Sequence, residues 1–176
     1  MIFEIEDIPE SGLNLDLLAC KEQFEIDQPD CSLWDDIKLR GRFSKIEQDI
    51  NFSGELQAVL KVACTRCLNK FSYNIDTEIK AHFIPLDKAI FLGNEIEIKE
   101  TEIEQETYEG GKIDLRRSVR DQVLLEIPLM HLCRENCKGI CSECGSDLNS
   151  GQCECKNEGP IDPRFAMLKE IKDKLK

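Results

Sequence analysis

Six of the ten cysteines in this 176-residue chain lie between positions 133 and 155, in the run LCRENCKGICSECGSDLNSGQCEC. Residues 128–160 hold few large apolar side chains, so this stretch has to fold around something other than a hydrophobic core. Two thiolates two residues apart, followed by a glycine, make a knuckle in which both sulfurs face one ion. A second nearby pair completes a tetrahedron of sulfurs at about 2.3 Å from zinc. The spacing CSECG, seven residues, then CEC selects Cys141, Cys144, Cys153 and Cys155 as the preferred ligands. Gly145 supplies backbone freedom to the knuckle, and Gly151 lets the return loop turn. A structural zinc stabilises small peptides by about 10–16 kcal/mol, more than the roughly 5–15 kcal/mol of net stability in a typical domain. Four thiolates on one zinc carry a net charge near −2, which Arg134, Lys138 and Lys156 are placed in sequence to offset.

Cys133 and Cys137 are left over, as is an earlier pair, Cys64 and Cys67, in the segment CTRC. Together they form a second set of four, joining the early pair to the late module. In a competing assignment, Cys133 or Cys137 enters the late site and leaves the CxC half-engaged. In another, Cys64 and Cys67 are a free dithiol packing a tight turn. The spacing matches neither common ferredoxin run. Cys20 and Cys31 have no partner at a telling distance and are expected as small buried hydrophobes. A site closed by four sulfurs has no open position for water, and no catalytic triad, phosphate loop or HExxH motif is present, so the expectation is a protein that is not an enzyme. His82 and His131 are expected to be structural.

The N-terminus, MIFEIEDIPESG, is acidic where a signal peptide is basic, and no apolar run approaches the length of a membrane span. The expected location is the cytoplasm, where thiols stay reduced. The formal net charge is −12. Residues 1–30 carry nine acids against Lys21, and residues 95–109 carry seven against Lys99, so the remainder sums to +2. Acidity of this kind is ordinarily a solvated face.

Alternation of apolar and polar residues predicts strands over 2–8, 34–43, 46–52, 56–63 and 71–83. Cys64 and Cys67 then sit at a hairpin tip. Residues 95–109 read as an exposed acidic segment ending in a strand near Thr107, and Gly110-Gly111 as a turn. Asp114 is the expected N-cap of a helix ending near Glu126, stopped by Pro128, with Leu115, Val119 and Val123 on one face. Asp162-Pro163 opens a C-terminal amphipathic helix carrying Phe165, Leu168, Ile171 and Leu175. The fold class is α+β: a mainly antiparallel β body over 1–127, a Cys-rich zinc module over 128–160, and a helix over 161–176 packing on the body. The flanks of the two CxxC pairs are too dissimilar to indicate a repeat.

The blocks CTRCL, KIDLRRSVRDQVLLEIPL, the late cysteine run and DPRFAMLKEI, in that order from about Leu56 to Leu175, resemble the YceD family of large ribosomal RNA subunit accumulation proteins of bacteria and plastids. In that family the pair matching Cys64, Arg66 and Cys67 is the most general mark, and the late cluster occurs in some branches. The resemblance implies a role in making or stabilising large-subunit ribosomal RNA, by binding the RNA or a ribosomal or assembly protein, with metal as structural reinforcement. No membrane and no small-molecule substrate is implied. Lys61, Arg66 and Lys70 at the hairpin tip, with Arg116, Arg117 and Arg120 on the helix, are the candidate contacts if they converge. Phe71 and Tyr73 are the nearby aromatics. Two other functions fit the residues: a zinc-dependent redox sensor or chaperone, and an adaptor using residues 95–109 to hold a basic partner.

Overall fold

Side chains that alternate across a strand put one face of a sheet in the core and the other in water. The three longest strands of this protein follow that rule. A computed structural model describes residues 1–87, 105–151 and 153–155. β5 (Ile37–Ile46), β6 (Asp49–Ala63) and β7 (Lys70–Pro85) are consecutive antiparallel partners. Along β6, Ile50, Phe52, Leu56, Ala58, Leu60 and Val62 are buried, while Ser53, Glu55 and Gln57 face solvent. One edge of β6 is shared. Its first part pairs with β5, and residues 60–62 pair with the short β4 (Cys31–Leu33), which in turn pairs with β3 (Asp27–Gln28). β2 (Leu13–Ala19) extends the sheet beyond β5.

β8 (Gln105–Tyr108) lies parallel to the end of β7, so the seven-stranded sheet is mixed rather than purely antiparallel. β1 (Ile2–Glu4) and β9 (Lys112–Asp114) form a separate antiparallel pair. They lead into α1 (Arg116–Leu125), which buries Leu115, Val119 and Val123 completely. Phe3, Phe43 and Phe52 stack at tilted angles, with ring centroids 5.0 and 4.8 Å apart, at the centre of the core. Burying each such ring or aliphatic chain contributes roughly 1.5–3 kcal/mol.

Several boundaries differ from the sequence expectation. The first strand stops at Glu4, because Ile5–Asp7 turn as a 3-10 helix. Ile46 ends β5 and a turn at 47–48 precedes β6, while the rest of 46–52 and all of 56–63 are one strand, since Gly54 does not break it but faces Gly41 of β5. A Cβ on Gly41 would fall 2.6 Å from the Phe52 ring, and one on Gly54 would collide with the Arg40 carbonyl oxygen. Both glycines therefore serve close strand approach under an aromatic lid, not a turn. The strand expected from Trp34 begins only at Ile37. α1 begins at Arg116 with Leu115 in the capping position, although the Asp114 carboxylate still accepts the Arg116 amide at 3.0 Å. Cys20 is exposed, its thiol 2.7 Å from Glu22, and only Cys31 is buried. The expected C-terminal helix 161–176 and residues 95–104 lie outside the described residues.

Two outcomes follow from this packing. Gly54→Ala should cost about 1–3 kcal/mol in chemical denaturation, the usual range for overpacking a filled site, whereas Ser53→Ala on the wet face should leave stability nearly unchanged. The second concerns Asp114. Partial burial raises the pKa of its carboxyl, but the Arg116 side chain and amide and the Met1 ammonium outweigh that and hold it at about 2. A depressed carboxylate stabilises the fold fully above its unfolded pKa of about 3.9, and that stability is lost as pH falls through the folded value. Asp114→Asn should therefore lower the unfolding temperature at pH 7, with the difference closing between pH 4 and pH 2.

Candidate metal centres

The β6–β7 hairpin ends in the segment Cys64-Thr65-Arg66-Cys67. The Ala63–Lys70 pair closes the ladder, and beyond it the Cys64 amide donates to the Asn69 carbonyl and the Leu68 amide to the Cys64 carbonyl, each at 2.9 Å. Leu68 takes the left-handed conformation that this reversal needs, with φ of 62°. A second hairpin repeats the arrangement outside the sheet. Ile140 bridges Asp147, the Cys141 amide donates to the Ser146 carbonyl, and the Gly145 amide to the Cys141 carbonyl, again at 2.9 Å, with Gly145 at φ of 71°. The two CxxC segments are thus one backbone motif used twice. The likeness is hidden in sequence because leucine stands in one turn where glycine stands in the other.

Each knuckle meets a second pair of thiols. Cys64, Cys67, Cys133 and Cys137 form one group and Cys141, Cys144, Cys153 and Cys155 the other, with all sulfurs of a group within 4.8 Å of one another. In the first group Cys64 and Cys137 are 3.8 Å apart, and Cys67 and Cys133 3.6 Å. A tetrahedron with metal–sulfur bonds of 2.3 Å has edges of about 3.8 Å. A disulfide needs about 2.05 Å, and all ten cysteines are free thiols. The geometry thus groups Cys133 and Cys137 with the hairpin tip rather than with the late knuckle.

The electrostatics of both groups fit a cation. Burial pushes the Cys64 thiol up, but the amides of Cys133, Cys67 and Arg66 outweigh it and bring the thiol to about 6. The hydroxyl and amide of Ser146 bring Cys144 to about 6. Cys133, through burial and then its sulfur neighbours, and Cys155, chiefly through Cys144, are pushed to about 12. One sulfur in each group ionises readily and thereby forbids the next, the behaviour of like charges sharing a site. A bound divalent cation removes that conflict, since coordinated thiols are deprotonated outright. The two groups differ in exposure: Cys64, Cys67 and Cys137 are buried beside Phe71 and Leu132, whereas Cys144 is open to solvent.

The six candidate basic residues are not brought together. Lys61, Arg66 and Lys70 surround the tip. Glu126, at the end of α1, bonds Thr77, and Ser118, near its start, bonds Glu106 opposite Phe83. At about 3.3 Å per residue along β7, Arg116, Arg117 and Arg120 therefore lie between about 20 and 40 Å from Lys70. Most of the six are also engaged. Arg116 forks onto Asp114, Arg117 reaches Asp121 at 3.7 Å, and Arg66 donates to the Cys137 carbonyl at 3.0 Å. Lys61 sits 4.9 Å over the Trp34 ring. Phe71 and Tyr73 pack inward, and the half-exposed aromatic near the tip is Trp34, which no local pattern indicates because only the β4–β6 pairing brings it there. Asn69, Asp147 and Asn149, which join the two knuckles, likewise carry no spacing signal. Lys156 lies outside the described residues.

Among the described residues no helix is long and apolar enough to cross a membrane. The sequence model of the family described as large ribosomal RNA subunit accumulation protein YceD matches residues 52–172. An uncharacterized protein of Mycobacterium leprae is 28% identical over 112 residues, covering 64% of this chain and 49% of its own length. The chloroplastic large ribosomal RNA subunit accumulation protein YCED homolog 1 of Arabidopsis thaliana is 36% identical over 84 residues, 48% of this chain and 19% of the plant protein. The chain thus spans half or less of both. The uncharacterized protein YlbN of Bacillus subtilis is 23% identical over 171 residues, 97% of this chain and 94% of its own length. No solved structure matches. The match over 52–172 takes in both knuckles and all eight clustered cysteines, and the chain belongs to the YceD family.

Proposed function

We propose that this protein is a non-enzymatic cytoplasmic factor that supports the accumulation of large-subunit ribosomal RNA, with zinc in both four-cysteine sites as structural reinforcement. The family membership of residues 52–172 carries this reading. Eight thiols in two closed groups of four suit zinc, whose structural sites are tetrahedral and rich in sulfur, and leave no position for a catalytic water. Among the described residues, the acids and bases that line the groove between α1 and β8 each have a partner: Glu106 is bonded to Ser118, Arg117 is paired with Asp121, and Lys80 lies 3.9 Å from Glu78.

The contact favoured by the surface is with a ribosomal or assembly protein rather than with bare RNA. A phosphate-binding face needs several unengaged cations close together, and the basic residues here are separated and mostly committed. A basic ribosomal protein would instead meet a chain of net charge −12. A zinc-dependent redox sensor is the second reading, favoured by the exposure of Cys144 to solvent. There, a peroxide would oxidise two thiolates to a disulfide, being itself reduced to water, and release the metal.

Protein purified without added metal should contain about two zinc ions per chain by elemental analysis; less than half an equivalent would sink the metal reading. Depletion in the native host should lower the large subunit in ribosome sedimentation profiles, and a normal profile would overturn the ribosomal role. In binding assays at rising salt, the chain should retain a basic ribosomal protein at low ionic strength and ignore large-subunit RNA fragments. Salt-sensitive RNA binding that weakens with Arg116→Ala/Arg120→Ala would move the assignment to RNA.

A further inference from the structure

The second hairpin is docked against the first knuckle. Gly139, at φ of 78°, brings its backbone so close to the Arg66 carbonyl that a Cβ there would lie 3.1 Å from the oxygen. Asn69, in the first knuckle, donates to Asp147 of the second hairpin at 2.9 Å. The most direct link is Asn149. Its Nδ2 donates to the Cys137 sulfur at 3.5 Å, its Oδ1 accepts the Lys138 amide at 2.8 Å, and its amide donates to Asp147 at 2.9 Å. Asn149 stands in the loop between Cys144 and Cys153, which the second site closes. A residue positioned by one site therefore holds a hydrogen bond to a ligand sulfur of the other. Only three residues separate Cys137 from Cys141, so the linker cannot absorb much displacement of either site.

A donor to a coordinating thiolate stabilises its charged form and fixes its orientation, and losing such an outer partner typically costs about 10–100-fold in metal affinity. Asp147, which accepts from both the Asn149 amide and its Nδ2, belongs to the 140–148 hairpin, so that hairpin helps to orient Asn149. With the second site empty, that loop loses its closure, and the donor to Cys137 is held less firmly. By linkage, the preference runs equally in both directions.

We infer that the two four-cysteine sites bind metal cooperatively, with Asn149 as the positioning residue that joins them, an inference that rests on both clusters holding metal. Cobalt(II) titration of the metal-free full chain tests it, since each site reports through thiolate-to-cobalt charge transfer. With Cys144→Ser/Cys155→Ser, the first site should bind about 10–100-fold more weakly than in the native chain. With Cys133→Ser, the second site should weaken by the same factor. Asn149→Ala keeps all eight sulfurs. It should still take up two equivalents but lose about tenfold in first-site affinity, with that site's charge-transfer band moving to longer wavelength as the sulfur becomes a better electron donor. A merely structural asparagine would leave the band of the fully loaded protein where it was. Unchanged affinities in Asn149→Ala, or a site indifferent to disabling of the other, would show independent sites and overturn the inference. A native chain that takes up no cobalt at all would instead remove the metal reading itself.

Discussion

Four thiols within 4.8 Å cannot all ionise unless a cation stands between them, and much of this protein is arranged around that condition. The first cluster is assembled from positions about seventy residues apart: a hairpin tip at Cys64 and Cys67, and a segment after α1 at Cys133 and Cys137. A cation held there would close a long loop of chain, and the β6–β7 ladder places half of the sulfurs in a fixed geometry beforehand. The chain after α1 has no sheet or helix of its own among the described residues. It is held to the body by the Thr65 amide and hydroxyl on the His131 carbonyl, by the Arg66 side chain on Cys137, and by the shared sulfur site.

What could be read from the sequence divides by range. The period-2 faces of β6 and β7, the buried stripe of Leu115, Val119 and Val123, the tip position of Cys64 and Cys67, and the Arg117–Asp121 pair are all local patterns, and they were legible. The expected break between residues 52 and 56 is absent because Gly54 crosses closely over Gly41, a partner that no local pattern reveals. The parallel docking of β8 on β7 also lacks a local signal, since alternation along a strand does not record which way its partner runs. In the candidate sites, spacing alone grouped the sulfurs. It could not supply Asn149, Asn69 or Asp147, whose importance comes from contacts across 12 or 78 residues.

The repetition of the knuckle is a lesson in how little of a backbone motif is written in side chains. Cys64 to Asn69 and Cys141 to Ser146 share their hydrogen bonds, their left-handed fifth residue and their place on a hairpin, yet only the cysteines coincide in type. A non-glycine residue in the left-handed region costs about 1–2 kcal/mol, so Leu68 holds its conformation because the long hairpin and the sulfur cluster dictate it. The second hairpin has one bridge and no long ladder behind it, and there glycine is the residue that turns at least cost. The difference in sequence is a difference in how much surrounding structure each knuckle can lean on.

The same constraint bears on what the surface near the sites can recognise. Residues 61–70 and 131–155 hold five basic side chains, Lys61, Arg66, Lys70, Arg134 and Lys138, against four acids, Glu135, Glu143, Asp147 and Glu154. That balance is +1 before the sulfurs are considered. Two divalent ions, each held by four thiolates, would add −2 apiece and bring the region to −3. The basic residues around the knuckles are thus sufficient only to offset part of the charge of the sites they surround. Had the thiols been neutral, the same lysines and arginines would have resembled a phosphate-binding patch. With metal bound they would be counter-charge, and that balance is what supports the proposal of a basic partner over bare RNA.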